Sequence, residues 1–159
     1  VVVVDLMESR LEIAKSLGLE VCNLSTTDYI EGCGAILGTV PTFFGTPAID
    51  CDYYVDAAGN QAVIDNFFRG AKAGAALSVV AMYHSETKMN LIPLTTSGLK
   101  IIGAGGGGPD IIELSMEIIA SGMFPVENII THEFSHADII PAFEQACNAK
   151  EALKVVIKY

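Results

Sequence analysis

Val1–Val4 is an unbroken β-branched run with no polar alternation, the pattern of a parallel strand buried on both faces. A helix is predicted from Glu8 to Leu17, with Leu11, Ala14 and Leu17 as its apolar stripe and Gly18 as its stop. Glu20–Leu24 reads as a second strand and Asp28–Leu37 as a helix. After a loop containing Pro41, Gly45 and Pro47, Tyr53–Ala57 forms a third strand. The helix behind it groups Val63, Ile64, Phe67, Phe68 and Ala71 on one face. Leu77–Met82 and Leu99–Ala104 are the fourth and fifth strands. Pro109 suits a first helical turn, Asp110 adds a favourable charge there, and Gly122 ends that helix after Ser121. Asn128–Thr131 is predicted as a strand. Ser135 and Asp138 make a capping box for a helix with the stripe Ile139, Ile140, Phe143, Ala146 and Cys147, and Lys154–Ile157 closes the chain as a strand. Strands and helices alternate throughout, which argues for a parallel α/β architecture.

Composition narrows the functions open to this fold. The chain has 159 residues, 51% of them hydrophobic and 18% charged, which excludes intrinsic disorder and leaves room for one domain with a smaller appendage. Nine Lys and Arg stand against nineteen Asp and Glu, a formal net charge of −10. Nucleic acid and anionic membrane are poor partners for such a surface. The longest stretch without charge or His, Gly32–Ile49, carries Gly34, Gly38, Pro41, Gly45 and Pro47, which is loop and helix-end chemistry rather than a membrane span. Cys22, Cys33, Cys51 and Cys147 include no C-x-x-C and read as free thiols of a cytoplasmic protein. The chain starts without Met and inside an apolar strand, so we read it as a piece of a longer polypeptide.

The most informative side chain is Asp5. An acid at the carboxyl end of a buried strand, just before a helix, stands where a dinucleotide-binding fold reads the adenosine ribose. It can accept hydrogen bonds from both ribose hydroxyls and repels a 2′-phosphate. The other reading of Asp5 is an ordinary solvated strand end.

Several motifs compete with it. Gly103–Gly108 formally satisfies G-x-G-x-x-G between a strand and a helix, with Glu133 downstream at about the spacing of a ribose-binding acid. Pro109, however, removes a backbone N–H where amides should face phosphate. His132 and His136 have the i, i+4 spacing of a metal pair, but the capping box starts the helix at Ser135 and leaves His132 outside it. His84 follows the fourth strand as either a ligand contact or a solvated loop residue. Asp50, Asp52 and Asp56 read as loop solvation and strand-end capping. No G-x-S-x-G occurs.

From V-V-V-V-D-L-M-E-S-R-L-E-I-A-K-S-L-G-L-E-V to Y-Y-V-D-A-A-G-N-Q-A-V-I the chain resembles the later part of the medium-chain dehydrogenases and reductases. This is the zinc-containing alcohol dehydrogenase superfamily, and the closer likeness is to its sorbitol, polyol and threonine dehydrogenase branch. A-G-A-A-L-S-V-V-A-M, L-K-I-I-G-A, I-A-S-G, I-I-T-H-E-F, A-F-E-Q-A and K-V-V-I follow in the family's order. The resemblance implies a partial Rossmann-type parallel sheet with helices on both faces, its first βα unit missing. It implies a partial NAD-binding domain over 1–106 and a segment over 107–159 that returns to the catalytic domain. The implied reaction is NAD-dependent hydride transfer from a secondary alcohol, with zinc held only in the missing N-terminal part and no catalytic or metal residue here, so these residues alone would be inactive.

For the cofactor, the resemblance implies that Asp5 holds the adenosine ribose with Arg10 beside it, and that Ala58 and Gly59 border the cleft. Val80, Ala81 and Met82 would offer backbone groups to the nicotinamide amide, Gly105 and Gly106 would approach it, and Lys154 would lie near the pyrophosphate. Ala75 and Ala81 stand where the family often has glycine, and its phosphate-binding turn would precede Val1. The partners implied are NAD(H), a small alcohol or carbonyl compound, and a second subunit across the Leu99–Ala104 edge. A zinc-free reductase of the same superfamily and a non-catalytic nucleotide-binding or assembly module are the alternatives. If the strand implied to precede Val1 were absent, Val1–Val4 would be expected to pair with Tyr53–Ala57.

Overall fold

The computed structural model describes all 159 residues, in two compact units. The first comprises Val1–Thr26 and Gly107–Tyr159, and the second Thr27–Gly106.

In the first unit, β1 (Val2–Asp5) runs parallel to β2 (Glu20–Asn23), with Val2 opposite Glu20 and Asp5 opposite Asn23. Between them lies α1 (Glu8–Ser16), which buries Leu11 and Ala14 as its spacing predicts. Gly18 takes φ +77°, the left-handed conformation that ends a helix most easily at glycine. Later come α5 (Pro109–Ala120), β8 (Ile130–Ser135), α6 (Ile139–Ala146) and β9 (Lys154–Lys158), and β8 and β9 form a parallel pair.

Three expectations are corrected in this unit. Residues Val126–Ile129 form a turn of 3-10 helix, and the strand starts at Ile130, where the β-branched pair Ile130–Thr131 begins. Ser135 does not cap backbone amides: its hydroxyl donates to Asp138 Oδ2 at 2.6 Å, and a short 3-10 turn, His136–Asp138, precedes α6. In α6 the buried residue is the small Ala142, while Ile140 and Phe143 are each 70% exposed, so the bulky stripe covers no core of this chain.

The second unit opens on α2 (Tyr29–Leu37). Asp28 caps it, accepting from Ile30 N at 2.9 Å, and Arg69 binds its other oxygen at 2.8 Å, which holds the Asp28 carboxyl below its ordinary range. The stretch that follows, expected as a loop, contains an antiparallel hairpin of β3 (Thr39–Pro41) and β4 (Pro47–Ile49). Strands of three residues with Pro at their ends give almost no periodicity to read. Next, β5 (Tyr53–Asp56), β6 (Ala76–Val79) and β7 (Lys100–Gly103) form a parallel sheet in that order. The connections carry α3 (Gln61–Gly70) and the short α4 (Ile92–Thr96). Ile64 and Phe67 of α3 pack with Ala71, Ala75, Leu77 and Leu99 into the core, and Tyr54 meets Phe67 edge-on at 5.2 Å between centroids. Lys72 lies between Asp50 and Asp52 at 2.7 and 2.8 Å, which accounts for two members of the acidic cluster.

Candidate functional site

Asp5 ends β1, and its side chain turns back on the chain that follows. Oδ1 accepts from Leu6 N at 2.7 Å and from Met7 N at 2.9 Å, fixing the carboxylate at the entrance to α1. Within the first turn of that helix, Arg10 Nη1 lies 3.8 Å from Asp5 Oδ2, while its Nη2 donates to the carbonyl of Ala149 at 3.3 Å. Asp5 and Arg10 are therefore brought together, as the resemblance implies. Lys154 lies in the same unit but apart from this pair in its bonding: it is exposed at the first position of β9, opposite Ile130.

In the second unit the predicted residues cluster at the carboxyl ends of adjacent parallel strands. Asp56, opposite Val79 in the β5–β6 ladder, is followed by a turn through Ala58 and Gly59. Gly59 has φ +67°, and a Cβ there would stand 2.8 Å from the carbonyl oxygen of Met82 and 3.1 Å from Ala81 Cβ. Glycine is thus required twice over, by its dihedral and by the close approach. Val80 and Met82 are exposed and Ala81 partly so. β7 continues past β6 for one residue, with Ala104 N on Val79 O at 2.9 Å, and leads into the exposed Gly105 and Gly106. A Cβ at either of those two would meet nothing within 4 Å.

The structure adds two residues to this cluster. Asp56 is 1% exposed, and Tyr83 donates its hydroxyl to Asp56 Oδ2 at 2.6 Å. Desolvation, and then this bond, push the Tyr83 phenol above its ordinary range. The sequence carries a weak signal for Asp56, an acid three residues before a glycine at a strand end, but nothing in it singles out Tyr83.

The competing motifs resolve differently. Glu133, the acid downstream of Gly103–Gly108, lies on β8, which pairs with β9, and is bound to Lys158. His132 lies on β8, with Nε2 3.1 Å from Gln145 Nε2 and Nδ1 3.0 Å from Thr131 Oγ1, whereas His136 stacks on Tyr159. His84 is exposed, and the four cysteines are free. No helix is long and apolar enough to cross a membrane.

The fold has solved counterparts. The 2R,3R-butanediol dehydrogenase of Bacillus subtilis superposes with a TM-score of 0.81 at 16% identity, over 99% of this chain and 43% of that one. A short chain alcohol dehydrogenase of E. coli CFT073, solved with NADH, gives 0.80 at 21% identity, over 99% of this chain and 44% of that one. Among curated proteins, sorbitol dehydrogenase of Arabidopsis thaliana is 27% identical across 98% of this chain. L-idonate 5-dehydrogenase of Vitis vinifera is 29% identical, also across 98%. The chain spans about 42% of the length of each of these two relatives. Residues 1–121 match the model of the zinc-binding dehydrogenases, and the chain belongs to that family.

Proposed function

We propose that this chain is the coenzyme-binding part of an NAD(H)-dependent, zinc-type alcohol or polyol dehydrogenase that moves hydride between a secondary alcohol and the nicotinamide. The observation that carries the reading is the bonding of Asp5. A carboxylate has about four lone-pair sites, and the two backbone amides occupy those of Oδ1. Oδ2 faces only Arg10, at 3.8 Å, and so retains acceptor capacity for a ribose diol. The residues present fit the group. NADH in the E. coli relative, and the dehydrogenase names of the curated relatives, support the same assignment.

When bound, NAD supplies the hydride acceptor. This chain's own residues would hold it: Asp5 at the adenosine ribose with Arg10 orienting the carboxylate, Ala58 and Gly59 bordering the cleft, and Val80, Ala81 and Met82 presenting backbone groups to the nicotinamide amide. Gly105 and Gly106 would contribute open backbone, and Lys154 a positive charge for the pyrophosphate. We assign 1–106 to coenzyme binding and 107–159 to the segment that returns to a catalytic body. The substrate would be a small alcohol or its carbonyl product, handled in the cytoplasm. No group of three or more His, Cys, Asp and Glu side chains here comes together as a metal site. Calorimetric titration of the full chain carrying these residues with NADH tests the reading. Saturable one-to-one binding is the expected result, and no heat at millimolar NADH would end it.

The same reading includes self-association across the edge of β7, where Ile102 is 53% exposed and no strand lies beyond. An unpaired apolar strand edge is a template for another copy. In sedimentation at tens of micromolar, the full chain should run as a dimer or larger. Ile102→Lys should shift it toward monomer, because a charge on an edge strand opposes pairing. An unchanged profile for the variant would remove this edge from consideration.

A further inference from the structure

Asp56 is the only charged residue buried in the chain, and the geometry shows more than turn formation. An aspartate that merely holds a turn can do so in solvent, whereas burying a carboxylate is costly unless its bonds are made. Here they are. Oδ1 accepts from Ala58 N at 2.9 Å and Gly59 N at 3.0 Å, and Oδ2 accepts from the Tyr83 hydroxyl. The backbone carbonyl of the same residue accepts from Val80 N and from Ala81 N, each at 3.0 Å. Tyr83 Oη also lies 3.3 Å from the carbonyl of Asn60, the residue that caps α3.

One residue thus ties the turn after β5 to the loop after β6, and Tyr83 closes the tie from the far side of that loop. Gly59 then lets the Met82 carbonyl seat against the turn. In open α/β sheets, ligands bind beyond the carboxyl ends of the strands, which is where these two loops lie. The side chains of Val80 and Met82 are exposed, so the loop they occupy is held by its backbone bonds to Asp56 and by Tyr83, whose ring packs against the core of this unit.

We propose that Asp56 and Tyr83 are positioning residues, a buried clamp that sets the backbone of Val80–Met82 for the carboxamide-bearing ring of a dinucleotide. The inference rests on the function proposed above and adds to it two residues and a division of labour. The clamp acts on the nicotinamide end alone.

The test compares two probes on the full chain: NADH, and ADP-ribose, which lacks the nicotinamide. Tyr83→Phe deletes one hydroxyl and keeps the ring. It should weaken NADH by roughly three- to tenfold, the worth of one hydrogen bond, while ADP-ribose stays within about twofold. Asp56→Asn should move NADH in the same direction by more. Should that variant fail to fold, Tyr83→Phe carries the test. A merely structural role would weaken both probes alike, and that result overturns the clamp, as does unchanged NADH affinity in Tyr83→Phe. If the unsubstituted chain binds neither probe, the functional reading itself fails, and the clamp falls with it.

Discussion

Asp5→Asn is expected to collapse the preference of the full chain for NADH over NADPH by about a hundredfold or more. A 2′-phosphate bound at this position would bring like charge to hydrogen-bonding distance of the Asp5 carboxylate. At about 4 Å and an effective dielectric near 20, each pair of unit charges costs roughly 4 kcal/mol. Arg10, at 3.8 Å from Oδ2, offsets part of this, but its guanidinium is shared with the carbonyl of Ala149 and is not free to turn wholly to a phosphate. Even two-thirds of the Coulomb cost is close to a hundredfold in affinity, because about 1.4 kcal/mol is tenfold. Asparagine is the right replacement because its carbonyl can still accept from Leu6 N and Met7 N, so the entrance to α1 keeps its shape while the charge goes. Parallel titrations with both cofactors decide the matter. An NADH to NADPH ratio that is the same in variant and parent would make Asp5 a solvated strand end.

How far the sequence led can be judged at particular places. The helix after the first strand and the buried face of Ile64 and Phe67 are legible because strong periodicity and real burial coincide there, whereas the strand Val1–Val4, expected to be buried on both faces, is only partly covered, with Val1 93% and Val4 37% exposed. The helix Ile139–Ala146 shows where periodicity alone misleads: its apolar stripe is genuine, yet Ile140 and Phe143 lie in the open. A hydrophobic pattern says that a face wants cover, and does not say that this chain supplies it. The hairpin Thr39–Ile49 was invisible because two three-residue strands leave no alternation to count.

The candidate site divides in the same way. The place of Asp5 was readable, since it ends a strand that sequence alone can locate. Asp56 was underread because burial of an acid depends on partners brought in from elsewhere, and Tyr83 is 27 residues away. No local spacing encodes that meeting. The glycine-rich run 103–108 matches its motif only in form: Pro109 removes an amide where phosphate would sit, and the downstream Glu133 is bound to Lys158.

Phe67→Ala should be the most damaging substitution in the second unit, costing about 3–5 kcal/mol of stability. Phe67 is 1% exposed on α3 and packs with Ile64, Ala71, Leu77 and Leu99, and Tyr54 and Phe68 each lay a ring against it at centroid distances of 5.2 and 5.7 Å. Truncation removes the transfer energy of a whole aromatic ring. It also leaves a cavity that β5, β6 and α3 cannot close without giving up their register. The effect reaches the candidate site along a short path. Asn60 caps α3 through Val63 N, and Asn60 directly follows Gly59 in the turn held by Asp56. A loosened α3 therefore loosens the turn as well. At the usual scaling for a chain of this size, the midpoint of thermal unfolding should fall by roughly 6–20 °C. Phe43→Ala is the control: Phe43 is 96% exposed at the tip of the hairpin, and its loss should change stability by no more than about 0.5 kcal/mol. Calorimetric unfolding of the three proteins checks both values. Equal losses for the two variants would mean that the core of this unit does not lie beneath α3.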